Sequence, residues 1–260
     1  MGAVRGYKDL EVKGNSVLIT GGATGIGFAL AEEFIAAGCE VIVCGRRKNK
    51  LQSAKERLPN LHAVQCDVSV ESERRNLFKW VTTRFPDLNL LINNAGVQRQ
   101  MDFMSPAVRK NPLPKDDEVA INFTATIRLC ALFTPRFLKR EKAAIVNISS
   151  GLAFVPIATM PVYCATKSAI HSFTTSLRHQ LRESSVRVFE AVPPTTDTEL
   201  DWSFAGEREL AYRGISPREV AGAIMEALKL DTEEILIGQA RELHHASLQD
   251  PHAIFSKLNG

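Results

Sequence analysis

The sequence predicts an α/β fold: a single doubly wound parallel sheet of about seven strands, with helices on both faces. Its strand-like runs are mostly apolar throughout instead of alternating, which is typical of parallel strands that are covered on both sides. Longer stretches with helical patterning separate these runs, and the links between them are short. The strand-like runs are Ser16–Thr20, Glu40–Cys44, Leu61–Cys66, Leu88–Ile92, Ala144–Ile148, Val186–Ala191 and Glu234–Ile237.

The segments between the strands carry helix signals. Ile26, Leu30 and Phe34 recur every four residues and form one apolar stripe. The tetrapeptide Ser216–Glu219 predicts a helix start, with serine as the cap, proline in the first turn and glutamate reaching back. Further helices are predicted over Pro114–Leu138 and Val162–Ser184, and a loop within the domain is predicted over Pro106–Pro114.

Size and composition predict one domain over residues 1–260, with its core over about 14–240. The chain is 45% hydrophobic and 23% charged, which is ordinary for one globular domain. A net charge of +3 is too small to indicate a nucleic-acid partner. No apolar run approaches the roughly 20 residues that span a bilayer, so no membrane partner is predicted.

The five cysteines form no Cys-x-x-Cys pair. Cys39, Cys44 and Cys66 lie in or beside apolar strand-like runs, where buried reduced thiols are expected, and this favours a reducing cytoplasm. The N-terminus lacks the apolar core of a signal peptide. The doublet His244-His245 is expected to belong to a polar tail rather than to a metal site. No metal site is therefore predicted.

A glycine-rich turn, Thr20–Gly27, follows the first strand and opens a helix. Glycines allow unusual backbone angles and the close approach of a pyrophosphate, whose charge favours a helix N-terminus. The spacing Gly21, Gly25, Gly27 differs from the usual Gly-x-Gly-x-x-Gly fingerprint, and a glycine turn alone is also compatible with a structural role. Its place after the first strand favours a nucleotide site of the Rossmann type.

The second strand ends in Gly45-Arg46-Arg47, where an NAD enzyme would place Asp or Glu to bind the ribose hydroxyl. A guanidinium pairs with a 2′-phosphate through two hydrogen bonds. The alternative is that both arginines only start the next helix in water. The pattern favours NADP(H). Asp67 and Val68 close the third strand, and Asn93–Gly96 closes the fourth, at the strand ends where such sheets bind ligands.

Tyr163 and Lys167 lie four residues apart, and Ser150 precedes the tyrosine by thirteen. On one helix face a neighbouring ammonium favours the phenolate and lowers the tyrosine pKa from its ordinary value near 10. Such a tyrosine exchanges a proton with a carbonyl or alcohol near neutral pH. Each element has a plain alternative, namely two surface side chains and a serine in a loop, so the prediction depends on their combination.

The chain resembles the short-chain dehydrogenase/reductase family over essentially residues 14–240. Five motifs match in order: the turn Thr20–Gly27, Asn93–Gly96, Asn122, Ser150, and Tyr163 with Lys167. The resemblance implies that Tyr163 is the general acid/base and that Lys167 binds the nicotinamide ribose and lowers the tyrosine pKa. It implies that Ser150 positions the substrate oxygen and that Asn122 holds a water in a proton relay.

The resemblance also implies a set of residues that contact the cofactor. After the sixth strand the family usually has Pro-Gly, whereas this chain has Pro193-Pro194, and Pro194 forbids backbone angles that glycine would allow just before Thr196 and Thr198. The predicted cofactor-binding residues are Gly21, Thr24, Gly25, Ile26, Gly27, Arg46, Arg47, Asp67, Val68, Asn94, Ala95, Gly96, Tyr163, Lys167, Thr196 and Thr198.

These observations predict an NADPH-dependent reductase that converts a small carbonyl compound to an alcohol, reversibly. A catalytically silent NADP-binding sensor or structural subunit is the alternative, although such proteins usually lose the tyrosine or lysine. An epimerase or dehydratase of the extended branch usually needs a longer C-terminal substrate domain. The resemblance further implies a homodimer or homotetramer. Residues 195–214 are predicted to form a substrate lid, with a permanently packed surface helix as the alternative.

Overall fold

The computed structural model describes residues 12–110, 117–200 and 214–260. Its strands are β1 (Ser16–Thr20), β2 (Glu40–Gly45), β3 (His62–Gln65), β4 (Leu88–Asn93), β5 (Ala143–Ile148), β6 (Val186–Val192) and β7 (Glu234–Leu236). Its α-helices are α1 (Gly25–Ala36), α2 (Lys48–Arg57), α3 (Glu71–Arg84), α4 (Pro106–Lys110), α5 (Ala125–Phe137), α6 (Pro161–Leu181), α7 (Pro217–Lys229), α8 (Gln239–Gln249) and α9 (Pro251–Asn259). A π-helical segment, Val119–Thr124, leads into α5, and a 3₁₀ turn, Gly151–Ala153, follows β5.

The strands form one parallel seven-stranded sheet in the order β3-β2-β1-β4-β5-β6-β7. The chain therefore winds outward from β1 in one direction and from β4 in the other. The crevice between the carboxyl ends of β1 and β4 is the switch point at which open α/β sheets bind ligands. This confirms the predicted fold class.

Two apolar clusters cover the two faces of the sheet. Adjacent residues of β1 enter opposite clusters, because successive strand side chains point to opposite faces: Ile19 joins one and Leu18 the other. Phe34 of α1 is fully buried in the first cluster, and Phe133 of α5 in the second. Burial on both faces explains why the strands are apolar throughout, and it holds their carboxyl ends rigidly in place.

The predicted strands are confirmed, each end lying within one residue of its predicted position. The predicted cap of α7 is also confirmed, since the Glu219 amide donates to Ser216 Oγ at 3.2 Å and the Ser216 amide donates to the Glu219 carboxylate at 2.8 Å. The helix predicted over Val162–Ser184 is present as α6. The helix predicted over Pro114–Leu138 is present from Val119, and its proposed start lies outside the described residues.

Two local predictions are wrong. The Pro106–Pro114 stretch begins with the short helix α4 instead of a loop, because Pro106 occupies a helical first turn where its missing amide hydrogen costs nothing. The doublet His244-His245 lies in α8 rather than in a polar tail, and the His244 ring packs 4.4 Å from the Phe154 ring. Most of the predicted lid, residues 201–213, lies outside the described residues. In the described part of the chain, no helix has both the length and the hydropathy to cross a membrane.

Candidate active site

The glycine turn opens a cleft of about 440 Å³ at the switch point, lined by Gly21, Thr24, Gly25 and Ile26 among others. Gly21 and Gly25 have φ angles of 65° and 55°, in the left-handed region that favours glycine. Gly27 is needed for space, because a Cβ there would lie 2.5 Å from Asn94 Nδ2. The first amides of α1 have no partners within the helix and begin at this cleft, so the turn suits a phosphate group.

The loop after β4 braces the glycine turn. Asn94 Nδ2 donates to the carbonyl oxygens of Thr20 at 2.9 Å and Gly21 at 3.2 Å. In return, Thr20 Oγ1 accepts from the backbone amides of Asn94 and Ala95, each at 3.0 Å. Asn94, Ala95 and Gly96 all line the cleft, and the Asn94 side chain holds the turn in shape.

The end of the cleft beyond β2 is basic. Gly45, Arg46, Arg47 and Lys50 all line it. Arg47 Nη2 donates to Thr24 Oγ1 at 3.2 Å, which ties this end to the glycine turn. A glycine at the end of β2, followed by three cations in reach of the cleft, is a donor set for an anionic substituent rather than for a ribose hydroxyl.

The predicted pair Asp67 and Val68 lies beside this basic end and lines the same cleft. Asp67 Oδ1 accepts from the Ser69 amide at 2.9 Å and from Ser69 Oγ at 2.6 Å, which fixes the turn between β3 and α3. Cys66, which is not among the predicted cofactor-binding residues, lines the cleft as well. All five cysteines are free and buried, including Cys39, Cys44 and Cys66, for which burial was predicted.

Tyr163 and Lys167 lie one turn apart on α6, and both line the cleft. They are 6% and 5% exposed. Lys167 Nζ donates to the Ile148 carbonyl at 2.9 Å and lies 5.6 Å from the centre of the Tyr163 ring. Burial lowers the pKa of the Lys167 ammonium to about 8, although the charge of Glu190 opposes the shift. A buried cation beside a phenol is an arrangement that favours the phenolate.

Ser150 and Asn122 lie next to this pair but outside the cleft lining. Ser150 Oγ accepts from the Leu152 amide at 3.2 Å and caps the 3₁₀ turn, while the neighbouring Ser149 lines the cleft. Asn122, in the π-helical segment, exchanges two 2.8 Å hydrogen bonds with the Val97 backbone. Its Nδ2 also donates to Thr166 Oγ1 at 3.1 Å, so Asn122 joins the loop after β4 to α6.

The two threonines after β6 behave differently. Thr198 lines the cleft and packs on the glycine turn, since a Cβ at Gly25 would lie 3.1 Å from Thr198 Cγ2. Thr196 is buried, donates to the Pro194 carbonyl at 2.9 Å and pairs with Ile215 in an isolated bridge. The structure therefore places Thr198 in the lining of the cleft, whereas Thr196 is buried and does not line it.

Several lining residues were not predicted: Ala23, Gly45, Lys50, Cys66, Val97, Gln98, Arg99, Ile121, Ile148, Ser149, Pro193, Glu199 and Leu200. Lys50 had a signal, because it follows Arg47 by three residues at the start of α2 and such residues share a helix face. The sequence could not predict that Glu199 lines the cleft, because its position depends on the path of the chain after β6.

A row of polar side chains, hereafter the polar row, crosses the sheet beneath α6: Asn93, Asn147, Glu190 and Glu234 occupy paired positions on β4 to β7. Asn93 Nδ2 donates to Asn147 Oδ1 at 2.8 Å, and Asn147 Nδ2 donates to Thr174 Oγ1 of α6 at 2.9 Å.

Three side chains at the end of the polar row carry atoms of the kind that bind metal ions, and these atoms lie within 4.8 Å of one another. They belong to His171 of α6, Glu190 and Glu234. This grouping has no local signal in the sequence, because its members lie on three separate elements. His171 Nδ1 and Glu190 Oε2 already share a hydrogen bond.

A glycine-rich turn at the switch point of a parallel sheet, in one cleft with a buried Tyr163–Lys167 pair, defines a dinucleotide-binding α/β protein. The sequence profile described as short chain dehydrogenase matches residues 15–209. The chain therefore belongs to the short-chain dehydrogenase/reductase family of oxidoreductases.

Individual relatives agree with this assignment. An uncharacterized oxidoreductase, DltE of Bacillus subtilis (strain 168), is 44% identical over 250 residues, which cover 96% of this chain and 98% of that protein. A Burkholderia cenocepacia short-chain dehydrogenase solved in complex with NADP is 27% identical, with a TM-score of 0.79 over 96% of this chain and 99% of that one. A Burkholderia phymatum family member in complex with NAD is 22% identical, with a TM-score of 0.80 over 96% and 97%, and it shares the fold.

Proposed function

We propose that this chain is an NADP(H)-dependent oxidoreductase that interconverts a small carbonyl compound and its alcohol, with Tyr163 as the general acid/base. The observation that carries the proposal is the buried Tyr163–Lys167 pair, which shares one cleft with the glycine turn and the basic end at Arg46 and Arg47. A proton donor beside a dinucleotide site is the combination that carbonyl reduction requires.

The residues of the cleft fit a dinucleotide with a 2′-phosphate. The left-handed glycines and the N-terminus of α1 suit the pyrophosphate. Arg46, Arg47 and Lys50 supply positive charge at the end where an NAD enzyme would carry an acid. The Burkholderia cenocepacia relative was solved with NADP, which supports the same cofactor class here.

In the proposed reduction, a bound nicotinamide would supply the hydride that the carbonyl carbon accepts. Tyr163 donates its phenolic proton to the carbonyl oxygen, so hydride and proton together give the alcohol. Lys167, fixed by its 2.9 Å bond to the Ile148 carbonyl, stabilises the phenolate that remains. Ser150 polarises the carbonyl oxygen, and Asn122 orders the water that returns the proton, both roles following from the family resemblance.

The remaining predictions belong to the same proposal. The chain acts in the cytoplasm as a homodimer or homotetramer, with residues 195–214 as the substrate lid over one catalytic domain. Assembly through α5 and α6 would brace the helix that carries Tyr163. Light scattering that finds only monomer at micromolar concentration would contradict this part.

Calorimetry with NADPH and NADH tests the cofactor, and a panel of carbonyl compounds tests the reaction. NADPH should bind more tightly than NADH, and Arg46→Ala and Arg47→Ala should reduce that preference. Equal affinities in the wild-type protein would count against NADP(H). Tight NADPH binding with no turnover of any panel member would favour the silent sensor.

A further inference from the structure

Glu199 bridges two cations of the cleft. Its Oε2 lies 2.6 Å from Arg47 Nη1, and its Oε1 lies 2.5 Å from Lys50 Nζ. Each carboxylate oxygen thus has a cation of its own. Lys50 first, and then Arg47, hold the pKa of the Glu199 carboxyl below its ordinary value, so the side chain is an anion at neutral pH.

The two cations belong to the turn that follows β2. Arg47 is the N-cap residue of α2, and Lys50 lies in its first turn. Both line the cleft at the end where Gly45 replaces the acid of an NAD enzyme. They are therefore the groups that a 2′-phosphate would meet on entering this end of the cleft.

Glu199 reaches these cations from the opposite wall. The residue before it, Thr198, packs on Gly25, and the residue after it, Leu200, also lines the cleft. Arg47 holds Glu199 and, at 3.2 Å, Thr24 Oγ1 of the glycine turn. Segment 198–200 therefore links the glycine turn to the basic end of the cleft through an ion pair.

A carboxylate that divides its oxygens between an arginine and a lysine makes the same kind of contacts as a phosphate monoester. The phosphate has three acceptor oxygens and a charge of about −1.5 to −2 at neutral pH, so it can displace a carboxylate from these donors. The displaced carboxylate must move away, because two anions at one pair of cations repel each other.

We propose that Glu199 is an internal anion that occupies the 2′-phosphate subsite, so that NADP(H) binds by displacing it and Glu199 sets the affinity for phosphorylated cofactors. The inference rests on the proposed use of NADP(H). NAD(H) carries no 2′-phosphate and leaves the Glu199 bridge in place. Glu199 is thus a specificity residue that weakens the binding of one cofactor only.

Glu199→Gln tests the proposal, because it keeps the shape of the side chain and removes its charge. Calorimetry should use NADPH and NADH, together with adenosine 2′,5′-bisphosphate and 5′-AMP as fragments with and without the 2′-phosphate. The variant should bind NADPH and the bisphosphate roughly three- to tenfold more tightly, the range expected when one or two exposed ion pairs are removed. NADH and 5′-AMP should bind within twofold of the wild-type protein.

Glu71→Gln is the matched control. It removes an exposed ion pair of 2.7 Å with Arg75 on α3; neither residue lines the cleft, so the change should leave all four affinities unchanged. In an Arg47→Ala background, Glu199→Gln should tighten NADPH binding by a smaller factor than in the wild-type background, because one of the two competing contacts is already gone.

The outcomes separate this inference from the proposed function. If the wild-type protein binds NADH as tightly as NADPH, the cofactor choice fails, while tighter bisphosphate binding by Glu199→Gln still supports the internal anion. If the wild-type protein prefers NADPH and Glu199→Gln leaves NADPH binding unchanged or weaker, the internal anion is overturned. Equal tightening of NADPH and NADH would overturn it too, since the effect would not involve the 2′-phosphate.

Discussion

His171 Nδ1 lies 2.9 Å from Oε2 of Glu190, a carboxylate with no exposed surface in β6. This hydrogen bond is the largest of the effects that raise the pKa of His171, and the charges of Glu190 and Glu234 add to it. Burial and the charge of Arg178 lower the pKa of His171 and so oppose this shift. A protonated imidazole is the partner that a buried carboxylate needs, so the pair joins α6 to the sheet one turn beyond Lys167.

Replacing His171 by alanine should leave Glu190 without that partner. We expect a loss of about 2 kcal/mol in the free energy of unfolding, less than for a fully buried pair because the His171 side chain keeps 33% of its exposure. Since the folded-state pKa of His171 is raised, its contribution is complete below the ordinary value of about 6.5 and is lost as the pH rises through the raised value.

Urea unfolding from pH 5.5 to 8.5 measures the effect. The difference between wild-type and His171→Ala should be largest at the acid end and should shrink as the pH rises. His252→Ala, which alters an exposed histidine of α9, should change stability by no more than about 0.5 kcal/mol. A difference that is the same throughout this pH range would contradict the assignment.

Lys167→Met should stabilise the fold while abolishing activity. The wild-type protein holds an ammonium in a buried site, where its pKa is about 8 instead of the ordinary 10.5, so the variant should be more stable at pH 7 by up to about 3 kcal/mol. Between these two pKa values the unfolded wild-type chain binds more protons than the folded one. Wild-type stability therefore rises with pH in this window, and the advantage of the variant should disappear by about pH 10.5. Thermal unfolding from pH 7 to 10.5 checks this, and an advantage that does not change with pH would be contrary to it.

Tyr163→Phe should reduce turnover at least about 100-fold, the scale of general acid catalysis, and leave NADPH binding within about twofold. Only 6% of the Tyr163 residue is exposed, and phenylalanine preserves the packing of the ring while removing the phenolic proton. Steady-state kinetics on an identified substrate and calorimetry with NADPH measure the two effects. A variant that keeps a tenth of the wild-type rate would show that Tyr163 is not the proton donor.

Gly27→Ala should distort the glycine turn. The added methyl carbon would lie 2.5 Å from Asn94 Nδ2 and 2.6 Å from the Gly21 carbonyl oxygen, so the Asn94 brace must shift. We expect a loss of about 1–3 kcal/mol in stability and weaker NADPH binding. Gly222→Ala is the control, because a Cβ there meets nothing within 4 Å on α7, and it should stabilise by about 0.5–1 kcal/mol. Comparable stability of the two variants would contradict the steric argument.

The sheet could be predicted from the sequence because strands buried on both faces leave an apolar run between polar turns. The start of α7 could be predicted because Ser216 and Glu219 cap it through local contacts. The contacts of Glu199 could not be predicted, since it pairs with Arg47 across 152 residues and the pairing depends on how the chain crosses the cleft.

In the candidate site, too, residues with a local sequence signal could be predicted and contacts between distant elements could not. Tyr163, Lys167 and the glycine turn carry their own spacing, and the structure brings them to one cleft. The Glu190–His171 pair has no local signal, because strand register decides which side chains meet. Assembly, the lid and the substrate remain predictions of the sequence.

The polar row also limits how the strands can align. Asn147 of β5 is paired with Asn93 of β4 and with Glu190 of β6, whereas its neighbours along β5 are apolar and similar in size. A slip of one residue would turn the Asn147 amide to the opposite apolar face and separate it from Asn93 and from Thr174. A sheet misaligned in this way would therefore bury an amide without these partners, so the polar row disfavours an alignment that the apolar residues of β5 alone would tolerate.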